Sequence, residues 1–169
     1  VVLDLTQTVG VYPVDLVTLD PDFVLVSAYK WLLCPYGIGF LYVADRHLDG
    51  VPLEENWASR HGSEDFSQLQ NYTGKYQPGA RRFDVGQRAS FSNVAAGVAA
   101  LSMIGTWGAA EISETLGARN LSIAEILEEF GFTTPAPETR APHIQSARPA
   151  RGDARDIACL LYTSPSPRD

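Results

Sequence analysis

Two apolar runs of five residues, Asp22-Phe23-Val24-Leu25-Val26 and Gly39-Phe40-Leu41-Tyr42-Val43, bracket a segment that holds a single lysine, Lys30. Both runs are short, rich in β-branched and aromatic residues, and bounded by turn formers, so each predicts a buried strand. Pro35, Gly37 and Gly39 place a loop between them. A lysine just past the end of a buried strand is costly unless it has a partner or a task. Lysine is also the side chain whose amine becomes a nucleophile when burial or nearby cations lower its pKa. A third run, Val1–Leu5, precedes these two and carries Asp4. A carboxylate among apolar neighbours calls for a cation or hydrogen-bond donors. Gln7 stands just past that strand, Gly10 and Pro13 make a turn, and Asp20-Pro21 ends the connection. The predicted order is strand, crossover, strand, loop, strand. In open α/β sheets ligands gather at the carboxyl ends of strands, which is where Asp4, Gln7, Ser27 and Lys30 fall.

Residues 44–80 are polar and irregular, and a loop of that length marks a functional or mobile segment. Trp57, Arg60 and His61 are its candidates to line a site. Helical spacing then runs over Ser92–Ile104, with Ser90 or Ser92 as N-cap and Gly105 and Gly108 as an interruption. A second, amphipathic helix is predicted over Trp107–Phe130, with Gly131 as its C-cap. Phe132–Pro135 reads as a turn, His143–Ala147 as a strand, and Gly152–Ala158 as the start of another helix.

The chain carries 13 lysines and arginines against 20 aspartates and glutamates, a formal net charge of −7. That balance argues against nucleic acid as the main partner. No apolar run approaches the ~20 residues that span a bilayer, so no membrane segment is expected. Cys34, Cys159, His61 and His143 lack metal-ligand spacing, so no metal is expected. Two cysteines without a framework pattern read as free thiols in a reducing compartment, hence the cytoplasm. The chain opens on a strand without a methionine and closes on the Ser- and Pro-rich Cys159–Asp169. Both features suggest an internal fragment, with 159–169 a non-native tail that resembles translated adaptor sequence.

One set of spaced positions carries more. Asp4-Leu5-Thr6-Gln7, Gly10, Pro13-Val14-Asp15, Asp22-Phe23, Ser27-Ala28-Tyr29-Lys30 and Pro35-Tyr36-Gly37-Ile38-Gly39-Phe40-Leu41-Tyr42-Val43 together resemble the class V aminotransferase family. The likeness extends more thinly through Arg82-Phe83-Asp84-Val85-Gly86-Gln87 to Ala141-Pro142-His143-Ile144. It implies an α/β, fold type I, pyridoxal-phosphate-dependent enzyme. Residues 1–112 would be the second half of the large domain, with a mostly parallel sheet, and 113–158 the start of a small α+β domain. The resemblance assigns Lys30 as the catalytic lysine that holds pyridoxal 5'-phosphate as a Schiff base. It places Asp4 at the pyridine nitrogen, Gln7 at the ring hydroxyl, and Ser27 and Tyr29 at the phosphate. Tyr29 stands where many members have histidine. Gln87 falls where related members have a threonine that reaches the phosphate of the neighbouring subunit, so a homodimer is implied. The substrate would be a small-molecule amino acid, handled by transaminase or lyase chemistry. Cysteine or selenocysteine lyases and kynureninase-like hydrolases are the alternatives, with a catalytically dead binding homologue as the alternative of another class. Cys34, beside Pro35, is a poor candidate for a desulfurase nucleophile, because free cysteines are usually small buried hydrophobes.

Overall fold

The computed structural model describes residues 1–68, 70–71, 73–88 and 90–163. The chain forms two compact units that meet between Ala109 and Ala110.

The first unit is built on a three-stranded sheet, β1 (Val2–Asp4), β2 (Phe23–Ser27) and β3 (Gly39–Val43), in that spatial order. β1 runs parallel to β2, with Asp4 opposite Leu25, and β3 runs antiparallel to β2, with Ser27 opposite Gly39. The described sheet is therefore mixed rather than mostly parallel, because β2 returns through a short loop that can only deliver an antiparallel neighbour. Val24, Val26 and Val43 are buried, whereas Leu25, Phe40, Leu41 and Tyr42 stay exposed. The expectation of buried strands thus holds for one face of β2 and for Val43 at the end of β3, since successive side chains point to opposite faces.

The crossover between β1 and β2 contains a short helix, α1 (Leu16–Leu19), that turn signals alone do not reveal. Asp15 caps it by accepting the Val17 N–H at 3.0 Å, and Asp20, at φ 42°, ends it. Ser27 to Gly39 closes on itself: the Ala28 N–H donates to the Ile38 carbonyl at 3.0 Å, and Cys34 N–H to the Ala28 carbonyl at 3.0 Å. Lys30 lies within this closed loop, and its carbonyl accepts from Leu33 N–H at 3.0 Å.

Residues 44–88 are not a loose loop. Short 3-10 turns at Asp45–His47, Trp57–Ser59, Phe66–Gln68 and Gly79–Phe83 surround a buried polar knot of Ser59, Ser63 and Gln77. The Gln77 amide donates to the Arg60 carbonyl and Ser63 Oγ, both at 3.0 Å, and to Glu64 Oε1 at 2.8 Å. Its backbone N–H donates to the Ser59 carbonyl at 2.7 Å. Arg60 and Arg82 approach the Tyr76 ring at 4.3 and 5.9 Å. Side chains here do the work that strands do elsewhere, which is why the segment shows no periodicity. Replacing Gln77 by leucine should strip this knot of its donor and cost about 2 kcal/mol, the penalty of leaving buried acceptors unpaired. Urea unfolding of the variant against the parent measures that loss.

α2 (Phe91–Trp107) runs through Gly105 and stops at Gly108, at φ 79°, rather than breaking early. Ser90 takes the N-cap position without a side-chain cap bond. Gly97, Ala100 and Ile104 form its buried stripe. A Cβ on Gly97 would meet Ile38 Cδ1 at 2.8 Å, so the glycine lets the helix lie close against the lysine loop.

The second unit contains α3 (Ala109–Glu129), the antiparallel pair β4 (Phe132–Thr133) and β5 (Arg148–Pro149), and α4 (Ala154–Thr163). The predicted strand at His143–Ala147 falls instead at Arg148–Pro149. Residues before it are drawn into an irregular link, held where the Asn120 amide donates to the Pro142 carbonyl at 2.7 Å. α4 continues past Ala158 to Thr163, so the first part of the expected tail is helical; 164–169 lie outside the described residues. Among the described residues no single helix is long and apolar enough to cross a membrane, and no group of side chains is arranged to hold a metal ion.

Candidate active site

Asp4 ends β1 and Ser27 ends β2, which puts both at the carboxyl edge of the parallel pair. The chain leaves β1 in a tight turn, with Thr8 and Val9 N–H donating to the Leu5 carbonyl at 2.9 and 3.0 Å. Gln7 sits exposed in that turn. Thr6 joins the two strand ends. Its N–H donates to Asp4 Oδ1 at 2.9 Å, and its Oγ1 accepts the Ser27 N–H at 2.9 Å.

Asp4 is exposed, not enclosed by the apolar residues beside it in sequence, because alternation turns its side chain away from them. The Thr6 hydroxyl, then the Thr6 N–H, and more weakly the charge of Lys30 hold its carboxyl below the usual aspartate range. Asp4 is therefore a carboxylate throughout the neutral range, and Lys30 lies within its electrostatic reach. Lys30 itself is half-buried, with Nζ 5.8 Å from the centroid of the Tyr29 ring. Tyr29 stacks on Tyr36 at 4.7 Å between centroids, 26° from parallel. The pair makes an aromatic wall beside the lysine.

Asp4 and Ser27 are thus joined through Thr6, while Tyr29 and Lys30 neighbour each other in the loop after β2, with Lys30 in electrostatic reach of Asp4. Gln87 is exposed and lines a mostly apolar cleft of about 300 Å³ with Cys34, Ile38, Phe40 and Asn93. Cys34 is buried there, and burial pushes its thiol pKa up, so it is held as an unreactive thiol. Trp57 and Arg60 line another cleft, of about 420 Å³, with Glu55, Asn56, Thr73 and Gly74. His61 faces a third cleft of about 300 Å³ with Ser63, Asp65 and Asn71. Thr6 and Tyr36 did not stand out in the sequence as candidates. A threonine two residues after an aspartate is a local signal for Thr6, since short polar side chains bond backbone groups two positions away. Tyr36 has no such signal.

A sequence model of the family described as aminotransferase class-V matches residues 1–164. The chain belongs to the class-V aminotransferase family. Curated relatives include isopenicillin N epimerase of Streptomyces clavuligerus, 38% identical over 58 residues, which are 34% of this chain and 15% of that protein. Kynureninase of Deinococcus radiodurans is 38% identical over 86 residues, or 50% of this chain and 20% of that one. Among solved structures, the apo cysteine desulfurase of Thermococcus onnurineus NA1 superposes with a TM-score of 0.69 at 26% identity, covering 95% of this chain and 39% of that one. The cysteine desulfurase CsdA of Escherichia coli gives 0.68 at 22%, with coverage of 94% and 38%. The chain thus spans less than half the length of these class-V structures. The expected fold class stands: this is the α/β architecture of fold type I, with a mixed sheet in the described part.

Proposed function

We propose that this class-V chain belongs to a pyridoxal-phosphate-dependent enzyme acting on an amino acid, of transaminase or lyase type. The observation that carries the reading is the placement of an ionised Asp4 at the carboxyl edge of the parallel pair, within electrostatic reach of Lys30. The donor set fits the cofactor: a permanent carboxylate for a ring nitrogen, an amine for an aldehyde, and exposed hydroxyls on Ser27 and Tyr29 for a phosphate. When bound, the cofactor supplies an electron sink for charge left at the substrate's α-carbon. Asp4 would pair with the ring nitrogen and keep it protonated. Gln7 would donate to the ring hydroxyl. Lys30 would hold the aldehyde carbon through Nζ until a substrate amine displaces it, and the freed amine would then carry the α-proton. Gln87, on its separate cleft, would reach the phosphate held by a second subunit.

That last role requires a homodimer, and the exposed apolar stripe of Phe91, Val94 and Val98 on α2 supports one. Two free cysteines support a reducing location, the cytoplasm. We assign residues 1–112 to the large domain and 113–158 to the small one, close to where the two compact units meet. Residues 159–169 would lie outside it as a non-native tail. A cysteine lyase is the second reading, favoured by the match to desulfurase structures; the enclosed Cys34 would not be its nucleophile.

The test is to incubate the full-length protein with pyridoxal phosphate, reduce with borohydride, and map the modified peptide by mass spectrometry. A pyridoxyl adduct on Lys30 is expected. A folded protein without an adduct, or with one on another lysine such as Lys75, would overturn the reading and turn attention to a non-catalytic homologue.

A further inference from the structure

Thr6 occupies a position that the proposed chemistry does not use, yet it touches both strand ends that do. In a parallel pair the last residues of β2 would look to β1 for backbone acceptors. β1 has already turned away there, with its Leu5 carbonyl taken by Thr8 and Val9. The Ser27 N–H instead finds the Thr6 hydroxyl at 2.9 Å. A threonine hydroxyl has two acceptor sites and one proton. With Ser27 N–H as its donor, the hydroxyl fixes Thr6 against the end of β2. The Thr6 N–H meets the Asp4 carboxylate at 2.9 Å.

We infer that Thr6 is a positioning residue that clamps the Asp4 carboxylate and the Ser27 end of β2 in one fixed relation. It touches neither cofactor nor substrate. Its effect passes through Asp4, which it keeps ionised and in a single orientation, and through Ser27, whose backbone it anchors. Resting as it does on the reading of Asp4 as the cofactor's partner, the inference also has a consequence that needs no cofactor. The hydroxyl holds Thr6 in place while its N–H donates to Asp4, so removing the hydroxyl loosens that donor and should raise the titration midpoint of the carboxyl even in the apoprotein.

The experiment uses full-length protein labelled with [4-13C]aspartate and freed of cofactor, with the Asp4 signal assigned by its loss in Asp4→Asn. Thr6→Val keeps the shape and removes the hydroxyl; Thr6→Ser keeps the hydroxyl. The Asp4 midpoint should rise in Thr6→Val and return toward the parent value in Thr6→Ser. The cofactor dissociation constant, measured by absorbance, should rise up to about tenfold in Thr6→Val, as expected for one lost hydrogen bond, with recovery in Thr6→Ser. Should Thr6→Val not fold, Thr6→Ala against Thr6→Ser reads the same contrast. An Asp4 midpoint identical in parent and hydroxyl-less variants overturns the inference. Failure of Lys30 to take a pyridoxyl adduct overturns the functional reading instead, and leaves the apoprotein titration intact as a measure of the clamp.

Discussion

Lys30→Ala in the full-length enzyme should lose turnover by at least about 10³-fold, within the range removed when a positioned acid–base group is lost. The loss should exceed that of any other single substitution at this edge, because Lys30 is asked to act twice. On the proposed reading it would be both the nucleophile toward the cofactor and the carrier of the α-proton, and no second amine is described beside Asp4. Lys30→Arg should fare no better: a guanidinium stays charged at any accessible pH and cannot form the bond. Steady-state kinetics with amino acid substrates, read beside the borohydride adduct, provides the measure. Lys75→Ala serves as the control, since Lys75 sits in the separate loop where its carbonyl accepts the His61 N–H at 3.0 Å. Activity within tenfold of the parent in Lys30→Ala would sink the catalytic assignment.

Gly10→Ala should be the most damaging of the small substitutions to stability. Gly10 adopts φ +98°, and an added Cβ would lie 2.8 Å from the Trp31 carbonyl oxygen. Two costs combine there. The backbone conformation is one that residues with a Cβ avoid, at roughly 1 kcal/mol or more. The clash adds about 1–3 kcal/mol, because a backbone oxygen cannot swing away as a side chain can. Gly62 supplies the comparison: its φ is +84°, but a Cβ there meets nothing within 4 Å. Gly62→Ala should therefore show the conformational cost alone. Denaturant unfolding of both variants separates the two contributions, and equal losses would refute the close-packing account. Trp31 neighbours Lys30, so Gly10→Ala should also loosen cofactor binding while Gly62→Ala leaves it unchanged.

The two central runs of the chain were legible because their pattern is local. Phe23–Ser27 and Gly39–Val43 carry β-branched and aromatic side chains between turn residues, and they pair as neighbours through a short loop. The placement of Asp4, Ser27 and Lys30 followed from the same logic, since a strand that ends in a polar residue delivers it to the edge of the sheet. What was not legible was long-range. Residues 44–88 have no period to read, yet Gln77 organises them through bonds to Arg60, Ser63 and Glu64. α1 is too short to show a helical period and depends on the Asp15 cap. Gly105 failed to stop α2 because a glycine weakens a helix without forbidding it.

By itself, then, the sequence determined the elements that bear the chemistry, since hydrophobic period and turn residues are properties of adjacent positions. It also determined the family, through spaced polar residues that no single element explains. Only the tertiary structure decided that Asp4 is exposed, that Thr6 ties it to Ser27, and that Gln87 belongs to a different cleft. The reason is physical: a hydroxyl shared between two strand ends depends on how those strands are paired, and pairing is a relation between distant residues that neither carries alone.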